Sequence, residues 1–421
     1  MVARGALGYH PVMITNDIVV IGLIAATLGL IFWTASGPTA FWRRFYGIVP
    51  ALLLCYFVPA LYNTVGLVDG HSTPLYAPIS RDVLLPGALV LLCLSIDLKA
   101  MLKLGPKLLF VFFAGTLGVM VGAPIAFVAM SFINPETMAG DTWGGMAALA
   151  GSWIGGGANM VAMREIFGVS AGTFGRFAVV DVAIANIWMA TLLFIAARAE
   201  RLDAKRGADT SAIEEIKQSV AAFQKKHERV PSLTDLFMIV GLGLGVVAVA
   251  HLIASPLSAW FRQFAWATQL SLDSSFVWMV LSATAMGIGL SFTPARRLEG
   301  AGASRVGSLF LYFLIASIGL QMDLKTLFDA DGAWLLLLGA IWMSVHVLVI
   351  LAAVKLVRAP LFYLGVGSQG NIGAAASAPV VAAAFHPSLA PVGVLLGSVG
   401  YATGTYLAYL VGITLKAMAG Q

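Results

Sequence analysis

Apolar runs of about twenty residues alternate with short polar or Pro/Gly-rich breaks along almost the whole chain. A bilayer core about 30 Å thick needs roughly 20 apolar residues per helix. Runs of that size fall at 17–36, 45–65, 82–102, 108–133, 143–167, 174–197, 234–257, 275–292, 306–322, 333–356, 361–385 and 389–417. The long polar stretch at 198–232 carries eight Lys/Arg and six Asp/Glu. It reads as a charged cytoplasmic linker with an amphipathic surface helix, and it divides the chain into a first half at 1–197 and a second at 233–421.

Two runs depart from the pattern of a single helix. The fifth contains Gly151-Ser-Trp-Ile-Gly-Gly-Gly-Ala-Asn159 and the eleventh Gly367-Ser-Gln-Gly-Asn371-Ile-Gly373. Glycine costs up to about 1 kcal/mol per helix position, so each segment is expected to be two half-helices around an unwound stretch. The halves also echo one another. Ser95-Ile-Asp97-Leu98-Lys99-Ala-Met-Leu102 parallels Gln321-Met-Asp323-Leu324-Lys325-Thr-Leu-Phe328, each just after a span. Positive residues concentrate on the cytoplasmic side of membrane proteins. Their distribution fits best if both broken segments enter and leave on one side, with the N-terminus outside. A topology with only the first segment re-entrant scores about equally, which leaves the side of the C-terminus open. The expected fold is an all-α polytopic membrane protein of two inverted repeats. Each repeat has about five crossings and one broken or re-entrant helix, and together they form a transport domain and a scaffold domain.

Composition agrees. Hydrophobic residues make up 59% and charged residues 11%, with a mean hydropathy of +0.90, whereas soluble domains carry about 25% charged residues. That excludes a soluble enzyme, and neither catalysis nor an organic cofactor is expected. Cys55 and Cys93 lie inside apolar runs and read as buried free thiols, outside disulfide or metal chemistry. The net charge of +5 is accounted for by membrane topology, so no nucleic acid partner is expected. The first 15 residues hold Arg4 but no short apolar core before a small-residue cleavage site, so the N-terminus is expected to be retained. An integral protein of the bacterial inner membrane is the expected location.

Unwound backbone in hydrocarbon persists only where protein, water or ligand satisfies it. Half-helix N-termini favour anions and freed carbonyls coordinate cations. The expected site is therefore Gly155, Gly156, Gly157, Ala158 and Asn159, with nearby Ser152, set against Ser368, Gln369, Gly370, Asn371 and Ile372. Close packing is the competing explanation, and it is the one preferred for Gly118-x-x-x-Gly122 and Gly400-x-x-x-Gly404.

These motifs carry a family resemblance. Gly-Ser-Trp-Ile-Gly-Gly-Gly-Ala-Asn-Met-Val-Ala resembles a motif of the membrane family catalogued as domain of unknown function 819. Gly-Ser-Gln-Gly-Asn-Ile-Gly-Ala-Ala-Ala-Ser-Ala-Pro and the run from Pro391 to Tyr406 look like its C-terminal signature. The resemblance covers most of the chain outside the linker. It implies kinship with cation/proton antiporters, anion transporters and bile-acid-type symporters, which mostly work as dimers with a moving transport domain. A homodimer is expected on that ground. Those relatives often have crossing, unwound helices at the equivalent place, which competes with a re-entrant topology.

Asp181 is the acidic residue most clearly inside a span. An intramembrane carboxylate is a functional candidate, as proton carrier or cation ligand, against a structural role pairing Arg164 or Arg176. Ser398, Tyr401 and Thr405 share one face of the last helix, where they line a path opposite Asp181 or serve interhelical hydrogen bonding. Arg164 and Glu165 read as the exit of a half-helix, and His346, beside Ser344, as a packed side chain. Asp97, Lys99, Asp323 and Lys325 read as span-end residues. Gly241-Leu-Gly-Leu-Gly245 lacks the strand and the Lys of a phosphate loop and reads as packing.

The leading expectation is a secondary active transporter of elevator type. It would move a small anionic organic solute coupled to Na+ or H+, with Na+ held by Asn159, Asn371 or Asp181, and with membrane lipid as its other partner. Cation/proton antiport is the alternative. An intramembrane hydrolase built on Ser368 and His386 ranks below both.

Overall fold

The computed structural model describes residues 14–46, 49, 51–69, 76–96, 102, 104–208, 230–321, 324, 332–386 and 389–421. Asp97, Lys99, Asp323, Lys325 and most of the linker lie outside them. The described chain is helical apart from the turns and loops between helices, with one isolated bridge between Ile14 and Val68.

The first half contains α1 (Asp17–Ala35), α2 (Ala40–Tyr46), α3 (Ala51–Thr64) and α4 (Leu85–Leu94), the last extended backwards by a π-helical stretch, Tyr76–Leu84. It continues with α5 (Pro106–Ile133), α6 (Thr142–Gly155), α7 (Gly157–Phe167) and α8 (Ala171–Ala196). A short helix α9 (Ala199–Arg206) opens the linker. The second half contains α10 (Leu233–Phe261), α11 (Ala265–Gln269), α12 (Ser275–Ser291), α13 (Ala303–Gly319) and α14 (Gly332–Leu356), then α15 (Leu361–Ile372), α16 (Ala374–Phe385) and α17 (Ala390–Met418). Side-chain caps start several of them. Asn16 accepts from the amides of Ile18 and Val19, and Ser232 and Asp235 form a capping box at α10.

Six described helices are long and apolar enough to cross a bilayer: α1, α5, α8, α10, α14 and α17. A seventh span results if α12 and the 3-10 helix Pro294–Ala301, bent by 93°, count together. Of the crossings expected at 45–65, 82–102 and 306–322, the described parts are α3, α4 with the π-helical stretch before it, and α13. The bend after α12 has a local cause. Thr293 precedes Pro294, whose ring disfavours helix at the residue before it, and Thr293 is extended. Along α5, the exposed residues Phe113, Leu117, Val121, Ile125, Val128 and Phe132 form one apolar face toward lipid.

Both Gly-rich segments fold back on themselves. On one straight helix Phe362 and Phe385 would lie about 34 Å apart, yet their rings meet edge to face at 5.6 Å. A β-carbon on Gly365 would touch the Phe385 ring at 2.6 Å. In the first hairpin, a β-carbon on Gly151 would lie 2.5 Å from the Asn159 carbonyl oxygen. Its base is fastened by Asp141, which accepts from the Ser170 amide at 2.9 Å and the Thr173 hydroxyl at 2.6 Å. The turn of the first hairpin is Gly156, in the left-handed region at φ 78°, where glycine carries no steric penalty. The second turns at Gly373 and Ala374, the latter at φ 45°.

The hairpins approach from opposite ends. The base of hairpin α6–α7 lies beside Leu335, near the start of α14, whereas hairpin α15–α16 follows the end of α14 directly. Their tips meet, with Gly156 and Ala374 in contact. Both lie on the small-residue face of α17. A β-carbon on Gly397 would fall 2.2 Å from the Ala375 amide nitrogen, and one on Gly404 2.6 Å from the Gly155 Cα. Helices α5 to α8 and α14 to α17 pack as one group, and α1, α3, α4, α10, α12 and α13 as another. Among the described residues, polar contacts that bridge the seam include Thr284 to Thr405 at 3.4 Å, Tyr406 Oη to the Leu281 carbonyl at 3.0 Å, Arg81 to Glu165 at 3.0 Å, Arg164 to Gln321 at 3.2 Å, Lys416 to Ser271 at 3.3 Å, and Tyr409 to the Leu270 carbonyl.

Candidate functional site

A cavity of about 510 Å³ opens at the seam where the hairpin tips meet. One wall comes from the hairpin-bearing group: Ser152, Gly156 and Gly157, Asp181 to Met189 of α8, Gln369 to Ser377 of the second hairpin, and Val394 and Tyr401 of α17. The other wall comes from Leu92 and Ser95 of α4, Glu299, and Ser304, Arg305, Ser308, Leu311 and Tyr312 of α13.

The sequence expectation for the site divides in two. Ser152, Gly156, Gly157, Asp181, Gln369 and Tyr401 line the cavity, as does Ile372. Gly155, Ala158, Asn159, Ser368, Gly370, Asn371, Ser398 and Thr405 do not. Gly155 and Gly370 are packed against α17 and against Phe112 with Leu396, respectively. Ser398 donates to the Leu395 carbonyl of its own helix at 2.7 Å.

The two asparagines are tied by protein. Asn159 Nδ2 donates to the carbonyls of Gly155 and Tyr401, and its Oδ1 accepts from Thr405 at 2.5 Å. Asn371 Nδ2 donates to the carbonyls of Gly367 and Phe112, and its Oδ1 accepts from Thr116 at 2.6 Å. Asn159 follows its break whereas Asn371 precedes its own, so the two are not equivalently placed. Both are fully buried away from the cavity, and Asp181 is the member of the expected Na+ set that reaches it.

Asp181 is held by hairpin α6–α7. Its Oδ2 accepts from Ser152 Oγ at 2.7 Å and its Oδ1 from Trp153 Nε1 at 2.8 Å. Those bonds come from neutral donors, in place of the Arg164 or Arg176 pairing considered above. Arg164 is engaged by Glu165 at 3.0 Å and by Gln321. Gln369 donates to Ser377 Oγ at 2.7 Å, and its buried Oε1 has no donor among the described residues.

Both second half-helices begin at the cavity. Gly156 and Gly157 of α7, and Gly373, Ala375 and Ala376 of α16, line it. The first amides of a helix have no intrahelical acceptor and carry the positive end of the helix dipole. Ala374 adds backbone strain, since left-handed geometry costs a non-glycine residue about 1–2 kcal/mol.

Sequence reasoning missed Arg305, Glu299, Ser304, Ser308, Tyr312, Asn186 and Ser377. Arg305 places a fixed cation in the lining of the cavity. It stands one residue outside the run 306–322 and so reads as a topology charge. Asn186 was findable, because Asp181, Ala185 and Met189 fall at helical spacing and Asn186 sits on the adjoining position.

His346 is fully buried. Its Nδ1 faces the Gly115 carbonyl at 2.9 Å, which only accepts, so Nδ1 carries the proton. Nε2 then accepts from Ser368 Oγ at 2.7 Å, and Ser368 accepts from Trp188 Nε1 at 2.8 Å. The hydrogen-bonded partner of Ser368 is thus His346, where the hydrolase alternative needed His386. Among the described residues no group of three or more His, Cys, Asp or Glu could hold a metal ion.

The family model described as "Protein of unknown function (DUF819)" matches residues 22–418. The chain is also 27% identical over 362 residues to "Uncharacterized membrane protein YjcL" of Bacillus subtilis (strain 168), covering 84% of this chain and 86% of that relative.

Proposed function

From the premise that this chain belongs to the DUF819 family, whose relative YjcL is a membrane protein, we propose that it is a secondary active transporter of small organic solutes bearing a carboxylate. The cavity at the seam between two helix groups, floored by the tips of two opposed hairpins, carries this reading. Alternating access requires a site that one body carries past another, and the hairpin-bearing group holds one whole wall of the cavity. The anion-seeking elements are the N-termini of α7 and α16 together with Arg305. The opposed hairpins support a reading of two inverted repeats with a moving transport body and a scaffold, in which the small residues of α17 form the bed on which both hairpins ride. Na+ or H+ would supply the driving gradient, in the bacterial inner membrane and as a homodimer.

Cation/proton exchange without organic cargo draws on Asp181 alone. A cavity of about 510 Å³ is in the range of small-molecule sites and larger than a bare ion needs. The hydrolase reading loses support because Ser368 is fully buried and is not part of the lining of the seam cavity. The reading is tested by locking the seam. Thr284→Cys/Thr405→Cys, with Cys55 and Cys93 replaced, is reconstituted in proteoliposomes under Na+ or H+ gradients and offered labelled carboxylates and amino acids. Oxidative cross-linking should stop uptake and reductant restore it. Undiminished uptake with the cross-link complete refutes relative motion of the two groups.

A further inference from the structure

The cavity presents two chemistries on separate residues. Donors in its lining include the N-termini of α7 and α16 and Arg305, and acceptors include Asp181 on α8, Gln369 on α15 and Glu299. Gln369 is 2% exposed. Its amide nitrogen is engaged by Ser377, and its Oε1 lacks a donor among the described residues. Buried polar atoms in native proteins are nearly always paired, so an orphaned acceptor beside a cavity calls for a donor from the occupant. Asp181 is met by two neutral donors. A carboxylate removed from water is stabilised far more by a positive partner.

We propose that the cargo is an amino-acid-type zwitterion, its carboxylate at the two helix N-termini and Arg305 and its ammonium between Asp181 and Gln369 Oε1. This rests on the cavity being the cargo site, and it assigns Asp181 to the cargo rather than to a coupling ion. An ammonium brings three donors and no acceptor, which matches a set made only of acceptors. A monocarboxylate without an amine leaves both acceptors unmet. A dicarboxylate adds a second negative charge to a lining that already holds Asp181 and Glu299. An amine without a carboxylate leaves the two helix N-termini without an anion.

The test uses the full-length protein in detergent and follows its melting temperature in Na+-free potassium buffer at pH 7. The probes are the free L-amino acids, their N-acetyl derivatives and the matching deaminated carboxylates, each titrated alone and again with Na+. Binding to the folded state raises the melting temperature by mass action. At least one free amino acid should stabilise saturably, with its N-acetyl and deaminated analogues at least about ten-fold weaker. Asp181→Asn, which keeps the shape of the side chain, should erase that preference. Gln369→Met should reduce it and provides the same readout if Asp181→Asn does not fold. If a deaminated carboxylate stabilises as well as the amino acid, or both variants keep the amine preference, the zwitterion is refuted while the cavity stands as a carboxylate site. If no carboxylate shifts the melt, with or without an amine and with or without Na+, the cargo-site reading falls as well.

Discussion

Thr405 donates to Asn159 Oδ1 at 2.5 Å, and the same amide donates onward to the Tyr401 carbonyl, one turn earlier on α17. The second hairpin repeats the device on another helix, with Thr116 and the Phe112 carbonyl of α5 clasping Asn371. Each asparagine also bonds the carbonyl four residues back, Asn371 at Gly367 within its own half-helix and Asn159 at Gly155 across the break. The two amides therefore clip hairpins to long helices. Asn159→Leu and Asn371→Leu should each lower stability by about 2–3 kcal/mol, the scale of buried partners left unsatisfied. Ligand-induced shifts in melting temperature should survive in whatever folds. Loss of ligand response without loss of stability would instead make the asparagines ligands.

Packing along α17 makes a sharper contrast. A β-carbon on Gly397 would meet Ala374 and Ala375 backbone at 2.2–2.6 Å, whereas Gly241 on α10 has nothing within 4 Å. Gly397→Ala must displace the tip of the second hairpin and should cost roughly 1–3 kcal/mol or more. Gly241→Ala should be neutral or stabilising by up to about 1 kcal/mol, through helix propensity. Equal melting temperatures for the two variants in detergent would refute the close approach at α17.

Much of this was legible in the sequence, and the remainder fails for physical reasons. Two Gly-Ser-Asn clusters in apolar runs imply broken helices, because hydrocarbon does not tolerate unwound backbone casually. A cluster does not reveal which of its members faces a void. Asn159 and Asn371 look like ligands because buried amides in a membrane are costly, yet a threonine and two carbonyls on separate elements satisfy each of them. Arg305 and Glu299 escaped because a charge at the edge of a run reads as solvated, while the 93° bend after Phe292 carries both to the rim of the cavity. Hydropathy counts residues along a line and does not register such a turn.

The base of the first hairpin has its own pH dependence. Burial raises the pKa of Asp141, but hydrogen bonds from Thr173 and Ser170 outweigh it, and the carboxyl lies below its ordinary value of 3.8. A depressed folded-state pKa contributes stability that is complete above the unfolded value and is lost as pH falls through the folded one. Asp141→Asn should therefore cost about 1 kcal/mol at pH 7, on the scale of charge-assisted hydrogen bonds discounted for a half-exposed group. The difference from wild type should close below about pH 3.8. Melting curves of both proteins from pH 7 downward check it, and a gap that widened on acidification would contradict the assignment.

Topology gives the most direct check on the hairpins. Asp141 before α6 is bonded to Ser170 after α7, and Phe362 packs on Phe385 across the second hairpin. Two flanks joined by such contacts share a membrane face, whereas a segment that crosses places its flanks on opposite faces. Single cysteines at the exposed positions Ala139 and Ser170, and at Arg358 and His386, should be introduced with Cys55 and Cys93 replaced. They would be probed in vesicles of known sidedness with an impermeant maleimide. Cysteines at 139 and 170 should react from one face, and those at 358 and 386 from the other, since the hairpins start at opposite ends of α14. Labelling of 139 and 170 from opposite faces would make the first segment a crossing helix, and then the tips could not meet as opposed hairpins at Gly156 and Ala374.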